Sequence, residues 1–356
     1  MYITSLSLQH FRNYSKASFV FDPRVTVIVG TNAAGKTSLI EAISFLATGK
    51  SFKSEKEGQV IQFGQQFARL SGSLHEIDDE ATDTVEVVFA FRSPTYVQKK
   101  YLVNAIARRR ADFAGRLPIV LFTPEDLTIV SGQPSTRRNF LNDILEQTDD
   151  GYRIAFATYT KALKQRNALL SDVRETGSRD EQRFAYWDEL LIKTGSIIIQ
   201  RREELIANIN SREKELFSFV LEYDKSTISA ERLAKYQQAE IGSGVTLVGP
   251  HRDDVFIKTK QTTSKSLEEV KYFSSRGQQR LVTLELKLAQ IALLREALQK
   301  DPLLLLDDIF SELDGPHISH VLQMMDRCQT VITTTHKEFI EGIGEQSRKM
   351  IELEKI

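Results

Sequence analysis

Apolar and polar residues alternate over residues 2–11 and again over 15–21, a period of two that predicts an antiparallel hairpin at the start of the chain. Residues 25–29 form a short β-branched run that leads into a glycine-bounded loop. A predicted helix follows, with Leu39, Ile40, Ile43 and Leu46 on one side. Strand patterns return at 66–75, 84–92 and 99–103, and an apolar run at 118–122 closes this section. From about residue 125 the period becomes helical, with predicted helices over 137–146, 152–170, 181–218 and 229–238. Strand patterns resume at 244–248 and 255–258. Residues 276–298 then read as a strongly amphipathic helix carrying Leu281, Leu284, Leu288, Ile291 and Leu294 at threes and fours. Residues 303–306 are continuously apolar, as in a strand buried on both faces. A helix near 318–325 and a strand at 330–334 complete the pattern.

This order predicts an α/β protein in which a helical lobe interrupts one domain, and the two ends of the chain meet in one sheet. The expected divisions are 1–122 and 243–356 for the split domain and 123–242 for the helical lobe. At 356 residues the chain can bury a core of that size. The formal net charge of −1 gives no global attraction to nucleic acid, so any such binding must come from local clusters of Lys and Arg. Cys328 is the only cysteine, which excludes an internal disulfide and a cysteine-built metal cluster. The first residues have no charged segment followed by an apolar one, and no apolar run reaches the length of a membrane span. These features lead us to expect a cytoplasmic protein without a membrane partner.

The chemistry sits at the two ends. Gly30-Thr31-Asn32-Ala33-Ala34-Gly35-Lys36-Thr37, continuing into Ser38, fits G-x-x-x-x-G-K-[ST] between a predicted strand and a predicted helix. Successive backbone N–H groups and a helix N-terminus in this arrangement wrap a phosphate. Lys36 would reach the β- and γ-phosphates of ATP and the Thr37 hydroxyl would ligate Mg²⁺. The strand Leu303-Leu304-Leu305-Leu306 ends in Asp307-Asp308. Beside such a loop, Asp307 is the expected metal-side carboxylate. Asp308 is placed either to orient an attacking water or to cap the turn that follows.

Between these motifs lies Ser274-Ser275-Arg276-Gly277-Gln278-Gln279-Arg280, at the start of the amphipathic helix. It resembles the signature motif of ABC-type ATPases, with Ser275, Gly277 and Gln278 in matching places and Arg276 where transporters usually carry Gly. The resemblance implies a head-to-tail dimer in which this segment caps the γ-phosphate held by the other subunit. It also implies a D-loop at Ser311-Glu312-Leu313-Asp314 and a switch histidine at His336. Gln133 is the candidate for the glutamine that couples the lobes.

Longer stretches narrow the resemblance. Phe11-Arg12-Asn13-Tyr14, LATGKSF (46–52), LPIVLFTPEDL (117–127), SGQPSTRRNFLND (131–143), YTKALKQRNALL (159–170), TLVGPHRDD (246–254) and LLLLDDIFSELD (303–314) resemble the RecF family, bacterial recombination mediators in the SMC-like branch of ABC ATPases. The match covers nearly the whole chain. It departs at Arg276 and at Ala33 and Ala34, where the family more often has Gly among these positions. It implies a weak, DNA-stimulated ATPase that dimerises on ATP around duplex DNA or single/double-strand junctions. It also implies RecR and RecO as partners in loading RecA at gaps. By the same resemblance Arg12 and Asn13 lie near the base, and Lys50 or Lys53 near nucleotide or DNA.

Candidate DNA contacts are Arg108, Arg109 and Arg110, then Arg137 and Arg138, then Lys161 and Lys164, which would engage phosphates without reading sequence. Arg137 and Arg138 serve equally well as contacts between lobes. Arg201-Arg202 precedes Glu203-Glu204 and reads as a solvated, self-paired face. A transporter-type ATPase subunit is the competing class, disfavoured by the helical insertion, the basic clusters and the signature. The helical section, broken at Asp149-Asp150-Gly151, Gly177 and Gly195, is too short for an SMC-type arm.

Overall fold

The computed structural model describes residues 1–53, 57–76, 82–260, 266–313, 315–325, 328–335 and 348–354. The chain divides into two compact units, Met1–Leu127 with Leu286–Ile356, and Thr128–Glu285. The insertion therefore ends about forty residues later than the pattern suggested. The reason is a sheet within it.

The first unit opens with β1 (Tyr2–Phe11) and β2 (Tyr14–Val20), then β3 (Val25–Gly30) and α1 (Lys36–Thr48). β4 (Phe67–His75), β5 (Thr82–Ser93), β6 (Tyr96–Val103) and β7 (Ile106–Arg108) follow, then the short α2 (Arg110–Phe113) and β8 (Ile119–Phe122). After the insertion come β12 (Leu303–Asp307), α9 (Gly315–Met324), β13 (Thr330–Thr334) and β14 (Arg348–Leu353). Six antiparallel strands form one sheet in the order β2-β1-β4-β5-β6-β7. Five parallel strands form the other, in the order β14-β3-β13-β12-β8. α1 is apolar on nearly every side because it packs against strands of both sheets: Leu39, Ile40, Ile43 and Leu46 are fully buried, and Phe45 meets Phe89 edge to face at 4.9 Å.

The second unit contains α3 (Pro134–Thr148), the long pair α4 (Asp150–Thr176) and α5 (Glu181–Ser211), β9 (Val220–Asp224) and α6 (Ala230–Ser243). β10 (Asp254–Lys260), β11 (Leu267–Glu269), α7 (Val270–Phe273) and the start of α8 (Arg276–Leu298) complete it. β10 pairs antiparallel with β9 and β11, which binds residues 254–269 to the inserted unit. Residues 244–248, expected as a strand, are irregular. Gly244 caps α6 at φ +71°, and Thr246 gives its N–H and hydroxyl to Asn167 Oδ1 at 2.8 and 2.7 Å.

The interior of this unit is unusually ionic. Arg202, expected on a solvated face, is 2% exposed. It donates to Asp253 Oδ2 at 2.9 Å, the Pro250 carbonyl at 2.8 Å and Asn142 Oδ1 at 2.9 Å. Asp253, fully buried, also accepts from the Tyr223 hydroxyl and the Ser226 N–H. Arg166 is equally enclosed, paired with Asp188 at 2.5 Å and Glu240 at 2.7 Å. Burial holds the His251 imidazole down to about 4, so it is neutral where it meets the Tyr159 hydroxyl at 2.7 Å.

Removing one member of such a pair strands a buried charge. Asp253→Ala is expected to destabilise the protein by about 3–5 kcal/mol, read as a lower midpoint in urea unfolding.

Candidate nucleotide site

Three neighbouring parallel strands, β3, β13 and β12, end at the same edge of the sheet, where α/β proteins place ligands. β3 runs into the loop and α1 starts at Lys36, as the motif requires. Gly35 stands at φ +98°, and a Cβ there would lie 2.6 Å from the Tyr14 hydroxyl and 2.7 Å from Asn13 Nδ2. Gly30 is crowded from the other side, with Leu353 of β14 at 3.0 Å from a built Cβ. Ala33 takes φ +68° where a glycine would sit without cost, and Ala34 is buried, closing a tight turn onto the Thr31 carbonyl at 3.2 Å.

Lys36 Nζ rests on the carbonyls of Gly30 at 2.7 Å and Thr31 at 3.1 Å. Burial pulls its ammonium below the usual range, opposed by the charges of Asp308 and Asp307. The Thr37 hydroxyl lies 3.2 Å from Asp307 Oδ1, although 270 positions separate the two residues. Thr333 of β13 completes the arrangement, its hydroxyl donating to the same oxygen at 2.7 Å. Burial pushes the Asp307 carboxyl up, and the two threonine hydroxyls counter it.

Asp308 adopts φ +52°, a left-handed conformation that Asp tolerates better than most residues. Its N–H is fixed by the Thr333 hydroxyl at 3.0 Å, and its Oδ1 is buried with no hydrogen-bond partner among the described residues. Lys36, Thr37 and Asp308 line a cleft of about 720 Å³, with Asn32, Ser38, Lys53 and Phe63 among the residues along its wall. A hydroxyl and carboxylate oxygens are the hard donors that Mg²⁺ takes, and the glycine-shaped cradle with an unpartnered acceptor beside it fits a hydrated cation next to phosphate.

Arg12 and Asn13 also line the cleft, but Arg12 is already engaged. Its guanidinium forks onto the fully buried Glu41 at 2.8 and 2.6 Å and reaches the Gln59 carbonyl at 2.8 Å. Glu41 also accepts from Ser51. Lys53 lines the cleft as well.

The signature segment folds as a reciprocal cap within the inserted unit. Gln278 N–H donates to Ser275 Oγ at 3.3 Å, and Ser275 N–H donates to Gln278 Oε1 at 2.8 Å. Ser275 and Gln278 are exposed, and Gly277 faces open space, with Ser275 Oγ at 3.9 Å from a built Cβ. Gln133 is the residue immediately before α3. Asp314 and His336 lie outside the described residues.

The basic residues separate into two groups. Arg108 and Arg109 are exposed at the end of β7, and Lys161 and Lys164 are exposed along α4. Arg110 is half-buried and donates to the Thr48 carbonyl at 3.1 Å. Arg137 is buried, forked onto Asp254 at 2.8 and 2.9 Å, and Arg138 donates to the Asp253 carbonyl at 2.6 Å. Those two arginines knit the inserted unit to itself.

Sequence pattern alone did not find Thr333 or Glu41. A threonine inside the apolar strand of residues 330–334, and a carboxylate on the buried helix α1, were the available signals.

A glycine-bounded phosphate loop, an acidic strand end two strands away and an inserted helical unit define the head of a P-loop ATPase of the ABC type. The family model for the RecF/RecN/SMC N terminal domain matches residues 2–355. Two proteins called DNA replication and repair protein RecF are each 36% identical to the chain. The one from Herpetosiphon aurantiacus aligns over 94% of this chain and 93% of its own length, and the one from Thermosynechococcus vestitus over 94% and 91%. A solved structure of the recombination mediator protein RecF with ATP, in the RecFOR pathway, superposes with TM-score 0.81 at 28% identity, covering 94% of this chain and 92% of that one. An SMC head bound to the C-terminal winged helix domain of ScpA shares the fold, with TM-score 0.50 at 16% identity over 96% of this chain and 91% of that one. The chain belongs to the RecF family.

Gly35→Ala meets both a left-handed backbone and two close side-chain contacts. It is expected to weaken ATP binding at least about tenfold, a loss of about 1.4 kcal/mol, with circular dichroism unchanged; titration calorimetry reads the difference.

Proposed function

We propose that the chain is an ATP-dependent DNA-binding protein of recombinational repair and replication. It closes as a homodimer on ATP, holds duplex or junction DNA, reopens on slow, DNA-stimulated hydrolysis, and acts with RecR and RecO to load RecA at gaps. The observation that carries the ATPase reading is the meeting of Thr37 and Asp307 at 3.2 Å beside the glycine cradle. Family membership and the names of the relatives support the repair role. That a family structure is described with ATP supports the ligand.

In this reading the loop N–H groups bind the phosphates, and Lys36 exchanges the Gly30 and Thr31 carbonyls for β- and γ-phosphate oxygens. Thr37 and Asp307 would hold Mg²⁺, which when bound offsets the charge that develops on the transferred phosphoryl group. Asp308 orients the attacking water through the oxygen left unpartnered, while Thr333 keeps its backbone in place. Ser275, Gly277 and Gln278 cap the γ-phosphate of the other subunit, with Asp314 and His336 assisting. Arg108, Arg109, Lys161 and Lys164, all exposed, meet DNA phosphates, which makes binding sensitive to salt and indifferent to sequence. No helix among the described residues is long and apolar enough to cross a membrane.

Sedimentation velocity with ADP, with ATP–Mg²⁺, and with ATP–Mg²⁺ plus a short duplex tests the clamp. Wild-type chain is expected to dimerise only with ATP and to carry DNA only as the dimer. Ser275→Arg should bind ATP and remain monomeric; a normal ATP-dependent dimer from this variant would remove the sandwich arrangement. Asp308→Ala should bind ATP with wild-type affinity and lose about 100-fold or more in turnover, as removing a positioned general base does, which a steady-state phosphate-release assay measures.

A further inference from the structure

The three consecutive arginines 108–110 take different directions. Arg108 and Arg109 are exposed, while Arg110, the first residue of α2, turns inward and donates to the Thr48 carbonyl at 3.1 Å. That carbonyl ends α1, the helix whose other end is the phosphate loop. A helix leaves its last carbonyls without internal partners, and here groups from outside take them. Arg110 takes Thr48, the Tyr101 hydroxyl takes Gly49 at 3.0 Å, and the Gly115 N–H takes Ala47 at 3.2 Å. The fit is tight: Gly49 stands at φ +71°, and a Cβ there would lie 3.0 Å from Arg110 Cγ and 3.1 Å from Tyr101 Cε1. From Gly49 the chain runs directly to Lys53, whose N–H is held by Ser51 Oγ at 3.0 Å, and Ser51 in turn donates to Glu41 of α1. Lys53 lines the cleft with Asp308.

This clamp stands among like charges. Arg108 pairs across the strands with Tyr101, Lys99 Nζ lies 5.9 Å from the centre of the same ring, and Arg109 directly precedes Arg110. Cations suit the negative end of a helix dipole, but they repel one another. Arg110 therefore holds Thr48 against the repulsion of its neighbours. Phosphates that meet Arg108 and Arg109 offset this repulsion and favour the clamped arrangement, which is the differential interaction that a shift of population needs. We infer that Arg110 is a positioning residue, which carries DNA occupancy at Arg108 and Arg109 through the end of α1 and the segment 49–53 to the nucleotide cleft. Hydrolysis responds to DNA by this route, and Arg110 itself needs to touch neither DNA nor nucleotide. The inference rests on the proposed reading of the chain as a DNA-stimulated ATPase and supplies that reading with its regulation.

Two measurements separate the roles: phosphate release at saturating ATP–Mg²⁺ with and without saturating duplex, and anisotropy of a labelled duplex for DNA affinity. Arg110→Met keeps an aliphatic stem against Gly49 and removes the donors. It is expected to bind duplex and ATP as the wild type does, to keep the DNA-free rate, and to show a DNA-stimulated increment at least about fivefold smaller. Tyr101→Phe, which removes a single hydroxyl, should lose part of the increment in the same way. Arg110→Lys, with a cation and a donor at the same helix end, should restore it. An undiminished increment in Arg110→Met overturns the proposal. So does a loss of DNA affinity in that variant equal to the loss in Arg108→Ala, which would make Arg110 a direct DNA contact. An equal fall of the basal and stimulated rates also overturns it, because the clamp would then be structural only. If hydrolysis by the wild-type chain does not respond to DNA, the DNA-stimulated reading fails first and the coupling falls with it.

Discussion

One carboxylate in a buried place organises the ATPase unit. Asp307 is held at the end of β12 by the hydroxyls of Thr333 and Thr37, from β13 and α1, so three separate elements converge on it. Burial raises its pKa because the charged form has lost water. Lys36 suffers the opposite shift for the same reason, its ammonium resting on carbonyls with the acidic pair nearby. Both groups are therefore held away from the partners that would suit them best. In the function proposed above, a phosphate chain with its cation would supply those partners together, and the sheet topology accounts for the separation of the motifs in sequence. A parallel sheet brings strand ends to one edge only through crossovers, so β3 and β12 can be neighbours in function while most of the chain lies between them.

The inserted unit rests on a different constraint. Its stretches of family resemblance, 131–143, 159–170 and 246–254, turn out to supply each other's partners. Arg137 meets Asp254, Asn167 meets Thr246, and Tyr159 meets His251. The first is an ion pair and the other two are neutral hydrogen bonds; a buried ion pair adds little net stability over apolar packing but is costly to break. Together they tie α3 to the start of β10 and α4 to the segment just before it, at defined positions that interchangeable leucines would not specify. Basic residues in a motif are thus ambiguous without geometry, since the guanidinium that suits DNA phosphate suits a buried carboxylate equally well.

That ambiguity marks the limit of what the chain order disclosed. The hairpin, the phosphate loop, the acidic strand end and the α8 helix were legible because each combines a period with a punctuating residue. The helix predicted over 181–218 overran α5, which ends at Ser211, and β9 was not predicted at all, because the alternation of Phe217, Phe219 and Leu221 is too short to stand out from the helical pattern before it. Residues 244–248 mimic a strand by alternation, yet the N–H groups of Thr246 and Leu247 are spent on side chains of α4 and α6. β14 is paired only with β3 at the sheet edge, and its alternating half-buried residues carry no strong apolar signal. Arg202 was misplaced because the glutamates beside it offered a nearer partner than Asp253, fifty-one positions away. Long-range pairing of charges leaves no periodic trace.

The local cap of the signature segment is compatible with the intermolecular role proposed for it. Ser275 Oγ accepts from the Gln278 N–H, which uses one lone pair and leaves the hydroxyl proton to be given elsewhere. Gln278 Oε1 accepts from the Ser275 N–H, which leaves its amide nitrogen with two donors. The cap thus uses two backbone N–H donors and two side-chain acceptors and leaves the side-chain donors of both residues free of it. Those side-chain donors lie at the positive end of the α8 dipole, on an exposed tip. An arginine at 276 adds charge of the same sign, where a glycine would add none. A tip of this composition is held by its own cap and still turns donors to solvent, which is what the proposed contact with a phosphate of another subunit asks of it.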